Sequence, residues 1–286
     1  IVITNNSFSR IMGDAIFLSY YVNSSQNINI TNNVFYNVSN TAIYIESGDT
    51  DDYNLIANNY IDGTEDQVTY TGISIDGSNS NSIVNNTIYN CSLEGIRIYN
   101  SGSINISDNF IHSPYLPLSL ESTEEIYIIN NNIFGSEDHW LYFGSDNYNV
   151  YIENITFSNE YGSINYVESY VSYFSDFDIA QNSVSISDNL IFVNLDYDPN
   201  LYDFLNRSAT LSFFGLNPTR HIPIYDPSDS YDFEDCPPSI CTVLYDDGGT
   251  FIYNVTGFTM YSSREELVSD STPPSIQILS PSSGLW

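Results

Sequence analysis

Two carboxylates follow similar apolar strings in the sequence. If those strings form equivalent strands, the two groups could lie close enough for acid–base chemistry. Glu46 follows AIYI at 42–45, and Asp76 follows GISI at 72–75. Glycoside hydrolysis needs little more than two such groups, about 5 to 10 Å apart, acting as acid and as base or nucleophile. The chain has 36 acidic residues, however, so solvated surface charge is the default expectation for any two of them. The pair supports a hypothesis of neutral polysaccharide hydrolysis, and surface charge is the favoured alternative.

Basic side chains that could remove a proton or bind an anionic substrate are scarce. The chain has five Lys plus Arg residues and a formal net charge of −31. In its first half the bases are Arg10 and Arg97, together with His112 and His139. We expect Arg97 to point outward from a strand and to pair with neighbouring acids. A lyase for acidic polysaccharides is therefore disfavoured, and the same charge argues against nucleic acid and anionic membranes as partners.

The three cysteines differ in their sequence context. Cys236 and Cys241 enclose CPPSIC, a short segment with two prolines that brings its ends close, and they predict a local disulfide in an exported protein. A zinc site is the alternative, but zinc needs four ligands and His221 is the one further candidate nearby in sequence. Cys91 is expected to pack as a small apolar residue.

Oxygen ligands for calcium occur in two acidic segments. The first contains Asp49, Asp51 and Asp52, and the second contains Asp196 and Asp198. Ca²⁺ prefers carboxylate and carbonyl oxygens, but neither segment completes a calcium-loop motif. Solvated charge is the favoured interpretation, so we assign no metal or cofactor and keep calcium as the alternative.

Ten N-x-S/T triplets could accept glycans if the chain is exported. Chance is the alternative explanation, since the chain is rich in Asn, Ser and Thr. Triplets within the repeat motif described next are expected to be blocked by packing. The favoured acceptors are Asn23, Asn37, Asn206 and Asn254.

A repeated element must position these residues, and its marker is an Asn-Asn pair within Ile-x-Asn-Asn-x-Ile/Phe. The clearest copies are ITNNSF, ITNNVF, IANNYI and IVNNTI, and looser copies such as ISDNFI and IINNNI follow. A near-constant spacing of this kind is typical of a solenoid. The second Asn position of the motif recurs every 22 to 27 residues, at Asn6, Asn33, Asn59, Asn86, Asn109 and Asn131.

Each repeat carries a second apolar string between the Asn motifs, such as AIFL at 15–18 and GIRI at 95–98. Alternation over four or five residues predicts short strands, and no stretch has a sustained helical period. Two or three strands in each repeat predict a parallel β-helix whose coils stack about 4.8 Å apart. The motif Ile residues would then form an aliphatic ladder, and the second Asn residues a ladder of amides bonded from coil to coil. Asn also tolerates the left-handed backbone angles that a sharp turn requires.

The N-x-I-x-N-N-x-I and G-I-x-I units resemble the right-handed β-helix repeat family, which includes NosD-like periplasmic proteins, pectate-lyase-like enzymes and many surface proteins. The resemblance covers residues 1–157 and implies the fold. It does not imply one activity, because such scaffolds host lyases, hydrolases, epimerases and inert stalks. The copper binding associated with NosD is not supported here, since soft copper sites use Met, His and Cys, and the two Met and three His show no ligand spacing.

The periodicity fades after about residue 158. The string TVLYDDGGTFIY predicts a hairpin, because Asp-Asp-Gly-Gly supplies the positive φ of a tight turn. We predict a small antiparallel β-sandwich at 158–268 that covers the solenoid's open end, with one last coil near 184–192 as an option. Residues 190–265 also resemble segments that follow β-helix repeats in archaeal surface proteins. Residues 269–286 are predicted to be a linker and the start of a truncated module, because TPPSIQILSPSSG resembles the first strand of immunoglobulin-like modules in bacterial and archaeal surface proteins.

The sequence therefore predicts an all-β chain, a right-handed parallel β-helix followed by a small antiparallel β-sandwich, from a longer secreted archaeal or bacterial cell-surface protein. It contains no signal peptide and no apolar run long enough to cross a membrane. The expected role is structural or adhesive, with copies of itself or other surface proteins as partners. The alternative is polysaccharide binding, with Tyr44 and Tyr99 stacking on sugars, or neutral polysaccharide hydrolysis. No catalytic residue is assigned.

Overall fold

The structure, a computed structural model, is almost entirely β. It describes residues 1–19, 27–63, 69–113, 115–135, 139–168, 170–172, 177–180, 182–196 and 202–266. Within these residues the one helix is α1, Tyr202–Leu205.

The first eighteen strands form six coils of three strands each. Each coil contributes one strand to each of three sheets. In chain order the strands are β1 Val2–Thr4, β2 Ser7–Ile11, β3 Ile16–Ser19, β4 Asn29–Thr31, β5 Val34–Val38, β6 Thr41–Asp51, β7 Leu55–Ala57, β8 Tyr60–Asp62, β9 Thr71–Asn79, β10 Ser82–Val84, β11 Thr87–Tyr89, β12 Glu94–Tyr99, β13 Gly102–Ser107, β14 Phe110–His112, β15 Leu116–Glu121, β16 Glu124–Ile129, β17 Asn132–Phe134 and β18 His139–Phe143.

The remaining strands complete a seventh partial coil and the C-terminal part. They are β19 Tyr148–Glu153, β20 Ile155–Ser158, β21 Gly162–Tyr166, β22 Tyr170–Ser172, β23 Phe177–Ala180, β24 Val184–Ser187, β25 Leu190–Val193, β26 Ala209–Phe214, β27 His221–Asp226, β28 Glu234–Asp235, β29 Cys241–Asp246, β30 Thr250–Val255 and β31 Met260–Glu265.

The strands of the first six coils form three parallel sheets. Sheet A has the order β1-β4-β7-β10-β13-β16-β19-β22, sheet B begins β2-β5-β8-β11-β14-β17-β20, and sheet C is β3-β6-β9-β12-β15-β18-β23. The Ile residues of the motif are register partners from coil to coil, as for Ile30 with Ile56 and Ile83 with Ile106. From Ile30 to Ile128 their side chains are fully buried, so they form the predicted aliphatic ladder. The expected parallel β-helix is confirmed.

The glycine near the start of strands β9 and β12 in sheet C is explained by close approach of neighbouring coils. A Cβ atom added to Gly72 would lie 2.6 Å from the carbonyl oxygen of Gly95 and 2.9 Å from Cγ2 of Ile88. Real Cβ atoms do not come this close to other atoms, so a larger residue at Gly72 would push adjacent coils apart.

Strand direction reverses at the C-terminal end of all three sheets. Strand β22 pairs antiparallel with β19 in sheet A, β21 with β20 in sheet B, and β23 with β18 in sheet C. These strands occupy the edges on which the next parallel strand of each sheet would have to pair. The predicted covering of the open end is therefore made first by reversed strands of the solenoid sheets themselves.

The C-terminal part contains two antiparallel layers. Sheet D has the order β24-β25-β31-β27-β28 and is separate from the solenoid. The other layer continues sheet B through β21-β26-β30-β29, which makes an eleven-stranded sheet. Buried aromatic residues fill the space between the layers, and the hydroxyl of Tyr253 donates to the carbonyl oxygen of Ser262 at 3.0 Å. The predicted antiparallel sheet after the solenoid is confirmed, but one layer of this cap is shared with the solenoid.

The option of a last coil near 184–192 is wrong. Strands β24 and β25 pair antiparallel with each other, with Val184 opposite Val193 and Ser187 opposite Leu190. Asn189 adopts a φ of 49° in the tight turn between them and bonds to Ser263 rather than to an Asn of the solenoid. The predicted module at 269–286 lies outside the described residues.

Candidate functional site

The two asparagines of each repeat motif have different conformations and partners. The first has a φ near +55°, as at Asn58 with 56° and Asn85 with 52°, and its side chain is exposed. Asn tolerates this left-handed region better than most residues. The left-handed residue ends one strand and turns the chain into the next sheet. The second asparagine is buried in every copy from Asn33 to Asn131, and Asn6 in the first coil is exposed. The dipeptide therefore recurs because the turn requires an exposed residue with positive φ followed by a buried amide.

The second asparagines form a continuous ladder from Asn6 to Asn131. The side-chain oxygen of Asn86 accepts from the backbone N–H and from the side-chain N–H of Asn59, both at 3.0 Å. Nδ2 of Asn86 also donates to the carbonyl oxygen of Ile56 at 2.9 Å. The same bonds recur at neighbouring coils, so the amides are satisfied without water.

The outer face of sheet C brings Glu46 and Asp76 together. They are register partners on β6 and β9, and Tyr99 lies beside Asp76 on β12. The hydroxyl of Tyr44 donates to Oδ2 of Asp76 at 3.5 Å. Parallel strands lie about 4.8 Å apart, so side chains at partner positions are neighbours. The sequence-based hypothesis of a carboxylate pair is therefore compatible with the geometry.

Two further charged residues, which the sequence analysis did not place with this pair, complete what we call the carboxylate cluster: Glu46, Asp76, Glu94, Tyr44 and Arg97. Glu94 is only 8% exposed, and its Oε2 accepts from Oγ1 of Thr71 at 3.1 Å. Nε of Arg97 lies 3.7 Å from Oε1 of Glu94. The GIRI string predicted that Arg97 points outward, but no sequence pattern indicated that Glu94 is buried.

The cluster perturbs the protonation of its own acids. Burial raises the pKa of Asp76, the charge of Arg97 opposes that shift, and the charge of Glu46 adds to it. Burial also raises the pKa of Glu94, against the lowering effects of Arg97 and Thr71. The pKa of Tyr44 is raised by burial and by the charges of Asp76 and Glu46. A carboxyl that protonates more readily beside a second carboxylate is the arrangement expected of an acid–base pair.

An open polar groove of about 490 Å³ lies beside this face, where the chain turns from sheet C to sheet A. Several acids and hydroxyls line it, and Tyr148 is 51% exposed there. Oγ of Ser103 donates to Glu125 at 2.9 Å, and Oδ1 of Asn79 accepts from the backbone N–H of Gly102 at 2.6 Å. Much of the polar lining is therefore bonded within the groove.

A second buried polar ladder, which the sequence analysis missed, lies beneath this turn. The oxygen of Asn54 accepts from the N–H of Ile28, and that of Asn81 accepts from the N–H of Asn54. In later coils Thr123 and Asn147 take this place, with a 2.7 Å bond between their side chains. The change of residue type from coil to coil hid the period in the sequence.

The cysteines lie in the places that their contexts predicted. Cys236 and Cys241 form a disulfide, which leaves no thiolate for the zinc alternative at these residues. It connects the end of β28 in sheet D to the start of β29 in sheet B. Cys91 is fully buried and free, and burial raises the pKa of its thiol. His221 is nearly buried, and its Nδ1 lies 3.2 Å from Oδ1 of Asp246.

The candidate glycan acceptors have different environments. Asn254 is exposed on β30, and its oxygen accepts from Oγ1 of Thr210 at 2.7 Å. Asn206 is half-buried, and its oxygen accepts from the N–H of Phe258. Asn37 is 8% exposed, so a glycan there would have to displace packed atoms. Asn23 lies outside the described residues.

The calcium candidates are only partly described. Asp52 is fully buried and accepts from Oγ of Ser78 at 2.6 Å, whereas Asp196 is exposed. The side chains of Asp49 and Asp51, and all of Asp198, lie outside the described part of the chain. Among the side chains that are described, no three His, Cys, Asp or Glu residues are grouped to hold a metal.

Within the same described ranges, no helix is long and apolar enough to cross a bilayer. A family model described as "Right handed beta helix region" matches residues 50–202. Comparison with curated proteins gives no significant match. The matched segment contains coils three to six and the reversal of strand direction, and it covers more than half of the 286 residues. The expected handedness is therefore confirmed, and the chain belongs to the right-handed β-helix family.

Proposed function

We propose that the chain is a structural or adhesive module of a secreted archaeal or bacterial cell-surface protein. The observation that carries this proposal is the stack of Ile and Asn ladders, which connects each coil to the next. Six coils at about 4.8 Å give a stiff body about 29 Å long. A body that resists bending along one axis is suited to holding a binding surface at a distance from the cell.

The end of the solenoid limits how neighbouring molecules can contact it. The reversed strands β21, β22 and β23 occupy all three C-terminal sheet edges. A second copy therefore cannot pair its strands directly with the last parallel strands β18, β19 and β20, so association with copies of itself or with other surface proteins would use other surfaces. Two copies of a chain with a net charge of −31 also repel each other at low salt.

Location outside the cytosol is supported by the disulfide between Cys236 and Cys241, because such bonds persist in oxidising compartments. Asn254 is the best placed glycan acceptor among the described candidates. Antibodies raised against the purified chain test this location on intact and on permeabilised cells of the source organism. We expect equal labelling of both preparations, and loss of the signal when intact cells are treated with protease. Labelling that appears only after permeabilisation would overturn the proposal.

Hydrolysis of a neutral polysaccharide is the second candidate function, and the raised pKa of Asp76 beside Glu46 favours it. Partner positions on adjacent strands would place the carboxyl groups about 5 Å apart, the separation typical of retaining enzymes. Asp76 would protonate the leaving oxygen, and Glu46 would attack the anomeric carbon. Reducing-end assays on neutral polysaccharides should then show activity that Asp76→Asn and Glu46→Gln abolish and the groove variant Glu124→Gln preserves. No release of reducing ends by the wild-type chain would eliminate this candidate.

A further inference from the structure

The outer face of sheet B carries a continuous strip of aromatic side chains, distinct from the carboxylate cluster and from the groove. We call it the aromatic strip. Its rings form a chain of contacts over coils two to six, with successive centroids 5.2 to 5.9 Å apart. All of them are partly exposed. They are Tyr36, Tyr60, Tyr89, Phe110, His112 and Phe134.

The aromatic strip is nearly uncharged, although the chain as a whole carries −31. Among the residues that the structure describes, its one carboxylate is Asp62, which accepts from the hydroxyl of Tyr60 at 3.2 Å. Burial lowers the pKa of His112, which keeps that ring neutral at pH 7. A polyanion at the strip would still be repelled by the negative charge of the rest of the molecule. The strip is therefore suited to a neutral partner.

The dimensions of the strip favour a linear ligand over a protein. Four steps between coils give a length of about 19 Å, and three-residue strands give a width of about 10 Å. The resulting area of about 200 Å² is a quarter of the roughly 800 Å² that each partner of a stable protein complex buries. Repulsion between two copies makes self-association through this face still less favourable.

Polar groups extend the same face towards the cap. Asn132 and Thr156 continue one row of the strip, and Nδ2 of Asn165 donates to Oγ1 of Thr156 at 2.7 Å. Thr210 and Asn254 follow in the antiparallel strands. Aromatic rings bind the apolar faces of sugar rings, whereas amides and hydroxyls bind their hydroxyl groups, so this sequence of side chains matches a carbohydrate.

The rings also indicate which physical form of polymer would fit. Their planes are inclined to one another by 31° to 86°, so the strip has no flat platform for a crystalline polymer surface. A single chain, whose sugar units can rotate relative to each other, can follow inclined rings. By contrast, Tyr127 and Tyr151 on sheet A are stacked 4.7 Å apart at 6°.

We infer that the aromatic strip binds a single chain of a linear neutral polysaccharide that lies along the solenoid axis. The inference rests on the proposed adhesive role and gives that role a ligand class. The strip lies on a different sheet from Glu46 and Asp76, so binding here requires no turnover. Each coil offers about one ring to the ligand, and affinity should come from several weak contacts.

Affinity electrophoresis of the full chain through gels that contain hydroxyethyl-cellulose, galactomannan or dextran tests the inference. We expect at least one of them to retard the wild-type chain and polygalacturonate not to do so. The double variant Tyr36→Ala/Tyr89→Ala removes two rings of the strip and should weaken that binding roughly tenfold, which corresponds to about 1.4 kcal/mol. Tyr89→Phe, which keeps the ring, should bind like the wild type.

Tyr127→Ala is the matched control, because it removes a partly exposed, stacked tyrosine from a different sheet of the same solenoid. It should bind like the wild type, and circular dichroism should show that all variants are folded. Retardation by none of the three neutral polymers would overturn the inference. So would equal loss of binding in Tyr127→Ala, stronger retardation by polygalacturonate, or strong adsorption to crystalline cellulose. Surface labelling of cells is independent of these results, so the strip can fail while the proposed surface role stands.

Discussion

At the scale of single residues, each asparagine of the repeat motif is required for a different physical reason. The exposed first position needs a residue that accepts positive φ, and glycine would serve it as well as asparagine. The buried second position needs a side chain that accepts two hydrogen bonds from one coil and donates to the carbonyl oxygen of another, and an amide does both. Sequence identity at both positions therefore conceals two separate requirements.

Asn86→Leu should destabilise the solenoid by about 3 kcal/mol. The substitution leaves the backbone N–H and the side-chain N–H of Asn59 buried without an acceptor, and each such group costs about 1 to 3 kcal/mol. Urea unfolding followed by circular dichroism measures the change. Asn85→Gly is the matched control, since it keeps the backbone angle and removes one exposed bond to Asn58. It should cost less than about 1 kcal/mol, and an equal loss in both variants would contradict the distinction.

At the scale of structural elements, two nearly identical strings form different structures. ISDNFI at 106–111 crosses from sheet A to sheet B within a coil, with Asp108 at a φ of 57° and Asn109 buried in the ladder. ISDNLI at 186–191 forms a hairpin of sheet D, in which Asn189 takes the positive φ. The local sequence is compatible with both turns. Only the neighbouring chain decides between them, because ISDNFI has coils on both sides to pair with.

The fold of the first half was predictable for this reason: each Ile and Asn position is supported by equivalents about two dozen residues away. The candidate sites were less predictable. The pairing of Glu46 with Asp76 followed from their equivalent positions, but the burial of Glu94 depends on Thr71 of the adjacent coil. The aromatic strip was hidden because its rings alternate between two rows of sheet B, so that no fixed spacing marks them.

The stability of the cap should depend on pH through Asp246, which ends β29 and bonds to β27. Burial of this carboxylate raises its pKa, but bonds from the backbone N–H groups of His221 and Gly248 lower it more, and the net pKa is lowered. A carboxyl whose pKa is lowered by folding stabilises the fold above its unfolded pKa of about 3.9, and the stabilisation is lost as pH falls through the folded value.

Thermal unfolding between pH 6 and pH 3, followed by near-ultraviolet circular dichroism of the tyrosines, tests this dependence. The midpoint of the wild-type chain should fall as pH drops below about 4. Asp246→Asn should begin with a lower midpoint at pH 6 and show a smaller fall. Asp196→Asn, an exposed acid outside these strands, should follow the wild type. Parallel curves for wild type and Asp246→Asn would show that this carboxylate is not responsible.

At the scale of the whole molecule, the reversed strands and the cap keep the solenoid from associating through its C-terminal end. A chain shortened to residues 1–158 would lack β21, β22 and β23, and three parallel sheet edges would be exposed. Unpaired edges recruit strands from other molecules. We expect the shortened chain to associate with rising concentration in size-exclusion chromatography with light scattering, and the full chain to associate less under the same conditions. Monomeric behaviour of both chains would contradict this account.

The continuity of sheet B from β2 to β29 has a consequence for how the chain is built up. Each completed coil exposes strand edges on which the next coil can pair. The repeat sequence itself does not limit the number of coils. The turn at β20–β21 ends the series of coils, because the chain folds back there and sheet B continues through antiparallel strands. The number of coils in this protein is thus set by the position along the chain at which strand direction first reverses, after β20.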